Sequence, residues 1–65
     1  MMKKMSEFGI WLKTELLQMQ MTQRELSRLT GINEKVINDL IYDRNHKDEH
    51  IINIQETIKN HKRTA

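Results

Sequence analysis

The chain of 65 residues has no cysteine, no proline and only two glycines, with one tryptophan, one tyrosine and one phenylalanine. Without cysteine no disulfide can staple it, and a zinc–thiolate site is excluded. Without proline nothing removes a backbone donor from a helix interior. No apolar run approaches the roughly 20 residues that a bilayer span needs, because Glu7, Lys13 and Glu15 interrupt the first hydrophobic stretch. Met1-Met2-Lys3-Lys4-Met5 carries two lysines, but no apolar segment or cleavage site of a secretion signal follows. The expectation is a soluble cytoplasmic protein with no membrane contact.

What is present is short, charged and helix-favouring. At this length one domain is the limit, and only roughly 60% of the unfolded surface can be buried, so stability is expected to be marginal. A single domain over residues 1–65 is expected, ordered from about 6 to 60, with both ends frayed. Eleven basic side chains against nine acidic ones leave a formal charge of +2. That is a weak pointer to a polyanion, and its distribution adds little. Residues 21–45 are neutral, since Arg24, Arg28, Lys35 and Arg44 meet Glu25, Glu34, Asp39 and Asp43.

Leu, Met, Gln, Glu and Lys favour helix throughout. Phe8, Leu12, Leu16 and Met19 recur at helical spacing, widened by Trp11, and predict a first helix from about Ser6 to Met19. Thr22 followed by Glu25 is a capping box, with Met21 and Leu26 placed as a hydrophobic staple. The short second helix should turn Leu26 and Leu29 inward and stop at Thr30-Gly31, where glycine supplies the left-handed closing residue. Asn33 caps a third helix whose apolar side is Val36, Ile37, Leu40 and Ile41, ending at Tyr42-Asp43-Arg44-Asn45. A last helix begins near Asp48, with Ile51, Ile54 and Ile58 on its stripe and Ile52 off it; Asn60 to Ala65 reads as a frayed basic tail. The fold class is all-α, a small domain of four helices, or five.

Thr22 to Asp43 is the informative segment. Two short capped helices joined by Thr30-Gly31-Ile32 form a central helix-turn-helix, a unit that can present its second helix to a DNA major groove. Leu26, Ile32, Ile37 and Leu40 should share one core, and small Ser27 should let the helices approach closely. A plain helical hairpin with no ligand is the simpler alternative. A third reading turns the same surface toward another regulator protein, as an antirepressor or modulator would.

Met21-Thr22-Gln23-Arg24-Glu25-Leu26-Ser27-Arg28-Leu29-Thr30-Gly31-Ile32 resembles the helix-turn-helix of the Cro/C1-type repressors, the XRE family. Phe8-Gly9-Ile10-Trp11-Leu12-Lys13 resembles the first helix of short members carried by phages and mobile elements of Gram-positive bacteria. The likeness covers roughly residues 8 to 58 and implies a lambda-repressor-like fold, a cytoplasmic, nucleoid-associated location, double-stranded DNA as partner, and repression of transcription.

The resemblance also implies roles for single residues. Gln23 matches a position that contacts the DNA backbone, with Thr22 and Arg24 beside it in the same candidate set. Asn33, Glu34, Lys35, Asn38 and Asp39 match outward positions of the recognition helix, and Arg44, Asn45 and Lys47 a phosphate-touching loop. Chemistry agrees: lysine donates to guanine, asparagine pairs with adenine, and glutamate accepts from cytosine N4. Two features depart from the pattern. Asp43 stands where the family has glycine, and Glu34 and Asp39 place two negative charges on the DNA side.

Ile52, with Ile51 and the last helix, is the candidate homodimer surface, since a dimer on two half-sites gains specificity. His46 and His50 are four apart, but no third ligand is evident, so surface or capping roles are expected and no metal. The methionines read as core filler or frayed ends, and Trp11 as the edge of the core. Lys59-Asn60-His61-Lys62-Arg63 reads as a solvated tail within reach of a flanking phosphate. There is no glycine-rich phosphate loop and no Ser-His-Asp arrangement. A chain this short also leaves little room for a concave site of a few hundred cubic ångströms. The expectation is a non-enzyme without cofactor.

Overall fold

In the computed structural model, which describes residues 4–42 and 47–64, the ends of the first two helices and the start of the third are each set by a named cap. The elements in order are α1 (Glu7–Met19), α2 (Gln23–Thr30), α3 (Glu34–Ile41) and α4 (Asp48–Thr64). The described residues contain no strand, so the all-α four-helix expectation holds. Ser6 caps α1 by accepting from the Gly9 N–H at 2.9 Å. Its own N–H and hydroxyl turn the other way and donate to the last carbonyls of α3, the N–H to Ile41 at 2.8 Å and the hydroxyl to Leu40 and Ile41 at 2.9 and 3.0 Å. One residue thus satisfies orphan groups at two helix ends.

α1 stops in a Schellman motif: the Met21 N–H donates to the Leu16 carbonyl at 2.9 Å and the Gln20 N–H to Leu17 at 3.2 Å. Gln20 carries the left-handed conformation this needs, at φ 54°, without being glycine. The capping box of α2 is formed in both directions, Thr22 Oγ1 accepting from the Glu25 N–H and Glu25 Oε1 accepting from the Thr22 N–H, each at 3.1 Å. Gly31, at φ 75°, closes α2 as its N–H reaches the Ser27 carbonyl at 2.9 Å. Asn33 Oδ1 then accepts from the Lys35 N–H at 2.8 Å to start α3.

The core is Leu12 and Leu16 from α1, Leu26 from α2, Ile32 from the turn, Ile37, Leu40 and Ile41 from α3, and Ile54 and Ile58 from α4. Met5, Phe8, Met19, Met21, Val36, Tyr42 and Ile51 pack around it. Helices α1 and α2 each contact both α3 and α4. Phe8 and Trp11 meet with ring centroids 5.8 Å apart, and Trp11 is 36% exposed.

Three expectations need correction. Leu29 is 54% exposed, not inward. Leu26 already fills the core-facing position of this two-turn helix, and Leu29 falls on its flank, beside an open cleft shared with Met21, Glu25, Arg28 and His61. Helix α4 does not fray at Asn60 but runs to Thr64. Its last turns pack against α1, where Lys62 forms an ion pair with the buried Glu15. Room for a concave site is also larger than the chain length suggests: Gln18, Met19, His61 and Lys62 line an open cleft of about 400 Å³.

Candidate nucleic-acid interface

Helix α3 is held from behind and open in front. Ile37, Leu40 and Ile41 are buried and Val36 half-buried, while Glu34 and Lys35 are exposed and Asn38 and Asp39 half-buried. Hydrophobic anchoring on one side of an eight-residue helix leaves its polar residues on a firm support. Ser6 fastens the carbonyl end of α3 to α1. The turn in front of α3 is fixed as well: Ser27 Oγ donates to the Ile32 carbonyl at 2.6 Å, and Thr30 Oγ1 accepts from the Ile32 N–H at 3.2 Å. Ser27 therefore ties α2 to the turn, in addition to being small. From behind, Asn53 Nδ2 of α4 donates to the Thr30 carbonyl at 3.2 Å.

The predicted contact residues divide by what their side chains already do. Thr22 and Asn33 are exposed, but the oxygen of each accepts from a helix N–H. To pair with adenine through both its oxygen and its amide, Asn33 would have to share or give up the oxygen that makes the cap. Glu34 and Lys35 project from the first turn of α3 and carry no such duty. Gln23 is half-buried at the start of α2, next to exposed Arg24. Lys47 is exposed, and its carbonyl accepts from the His50 and Ile51 N–H groups at 3.1 and 3.2 Å, opening α4. Asp43, Arg44, Asn45 and His46 lie outside the described residues. So the phosphate loop placed there by sequence is represented by Lys47 alone.

Sequence reasoning missed Lys13. It lies off the apolar stripe of α1, and its Nζ donates to Gln23 Oε1 at 2.9 Å, ten residues along the chain. Only the packing of α1 beside the start of α2 brings the two together. On the candidate dimer surface, Ile51 is half-buried against the chain's own core, whereas Ile52 is 52% exposed. His50 is half-buried, and the described residues contain no group of three potential metal ligands. Among them, too, no helix is long and apolar enough to cross a membrane.

Comparison with known proteins gave no matching family model, no matching curated protein and no matching solved structure. The functional reading therefore rests on this chain's own residues.

Proposed function

We propose that the chain is a sequence-specific DNA-binding regulator of the Cro/C1 helix-turn-helix kind, acting in the cytoplasm as a repressor that inserts α3 into a major groove. The observation that carries this reading is the arrangement of α3. Its apolar side is buried on α1 and α2, and Glu34, Lys35 and Asn38 lie along its accessible side. Lys35 would donate to guanine and Asn38 would pair with adenine. Gln23, Arg24 and Lys47 would hold phosphates and fix the register. Occlusion of polymerase at the operator would give repression, and Ile52 is the apolar residue left available on α4 for pairing two copies.

Enrichment of random duplex DNA on the purified protein at near-physiological salt tests the proposal. Recovery of a motif, as an inverted repeat if two copies bind together, supports it. Failure of the folded protein to enrich any sequence overturns it. A second reading, a module that binds another regulator protein, is favoured by one observation: Ile10 and Leu17 lie on the outer side of α1 and are 56% and 79% exposed. These two exposed aliphatic residues, two helical turns apart, offer apolar surface to a protein partner. A stable co-purifying protein, together with no duplex binding, would select this second reading.

A further inference from the structure

We infer that Lys13 is a positioning residue for Gln23 and a phosphate contact in its own right; this rests on the DNA-binding reading and extends it to a helix outside the helix-turn-helix. A glutamine amide offers an oxygen that accepts and an NH2 group that donates, and a phosphodiester only accepts. An unoriented Gln23 could present either end. Lys13 Nζ donates to Oε1 at 2.9 Å, which engages the oxygen on the α1 side and leaves the NH2 group, on the other branch of the planar amide, uncommitted to the lysine. The end left for a phosphate is the end that can donate to it.

The same contact sets the lysine. Its ammonium has three N–H donors and the glutamine oxygen uses one. Lys13 is exposed along α1, Gln23 is half-buried, and Arg24 is exposed one residue further on. A full positive charge is thus held at the start of α2 by a helix that contributes no base reader. That charge matters for a surface on which Glu34 and Asp39 oppose the phosphates. Residues 21–45 are neutral by themselves, so a net positive charge toward the phosphates comes from outside that segment, from Lys13 together with Lys47.

Duplex binding by the full chain, measured across a series of salt concentrations, tests the inference with Lys13→Ala, Lys13→Arg, Gln23→Ala and the double alanine variant. Lys13→Ala should reduce the steepness of log K against log salt by about one. It should weaken binding by roughly a factor of ten at physiological salt without altering base preference. Lys13→Arg should restore most of the affinity. Gln23→Ala should cost clearly less in the Lys13→Ala background than in the wild type, because an unoriented glutamine has little left to lose. Thermal unfolding of each variant provides the check on folding. Wild-type salt dependence in Lys13→Ala, or losses that simply add, would overturn the role of Lys13 while leaving DNA binding intact. No duplex binding by the wild type would overturn both.

Discussion

Gly9 lies so close to the carbonyl end of α3 that a β-carbon on it would sit 2.3 Å from the Ile41 oxygen. That oxygen is backbone, and it also accepts from the Ser6 N–H and hydroxyl, so it cannot yield independently. A glycine inside a helix normally costs about 0.5–1 kcal/mol relative to alanine. Here the absent side chain is what permits α1 to contact α3. Gly9→Ala is expected to destabilise the protein by about 1–3 kcal/mol despite its better helix propensity. For a domain this small the midpoint of thermal unfolding should fall by at least about 4 °C. A midpoint equal to or above the wild type would show that α1 and α3 can separate without loss.

Gln20 makes the opposite case. It holds φ 54° to close α1, a conformation that costs a side chain about 1–2 kcal/mol. Glycine removes that strain and loses part of the gain to its greater freedom when unfolded. The net effect of Gln20→Gly should be stabilisation by about 0.5–1 kcal/mol, read as a higher urea midpoint with an unchanged slope.

The ion pair of Glu15 with Lys62 joins the middle of α1 to the last turns of α4. Because the Glu15 side chain is only 11% exposed while that of Lys62 is about half exposed, Lys62→Ala leaves a mostly buried carboxylate without its partner and should cost about 1–3 kcal/mol of global stability. The local consequence should be larger, with faster amide exchange over residues 60–64 as the end of α4 loosens. Replacing both partners, Glu15→Leu with Lys62→Met, should restore or exceed wild-type stability, since no charge is then left buried. A double variant less stable than Lys62→Ala would show that the pair contributes more than its charges suggest.

Asn33 and Asn38 look equivalent as base readers, but the fold separates them. Asn33→Ala removes the cap of α3 and should lower stability by about 1 kcal/mol. Asn38→Ala should leave stability within about 0.5 kcal/mol and change base preference at one position of the operator. Unfolding midpoints and binding selections on the two variants check both halves of the statement. If Asn33→Ala also alters base preference without loss of stability, the cap is not its main duty.

Much of the fold was legible because its signals are local. Thr22 with Glu25, Gly31 and Asn33 mark helix ends through bonds spanning two to four residues, and all act as their sequence positions imply. The stripe of Ile37, Leu40 and Ile41 likewise needs only helical periodicity to be recognised as core. Leu29 was misplaced by the same reasoning, because periodicity marks a flank as readily as a centre when the helix has only two turns. Gln20 was invisible because glycine or asparagine is the usual sign of a left-handed cap.

The candidate site was legible to a smaller degree. Capping by Thr22 and Asn33 and exposure of Lys35 follow from the chain's local order. The pairing of Lys13 with Gln23 does not, nor does that of Glu15 with Lys62, 47 positions apart.

By itself, then, the sequence determined the order of the helices, the caps at Thr22, Gly31 and Asn33 and the apolar stripe of α3, since these depend on bonds and periodicities within a few residues. Tertiary structure alone decided which helices touch. That choice requires Gly9 to have no side chain, gives Ser6 two helix ends to satisfy, keeps α4 helical to Thr64 and brings Lys13 beside Gln23. The physical reason is that a helix carries its own hydrogen bonds, whereas its place among other helices is set by side chains that meet only after the chain has folded.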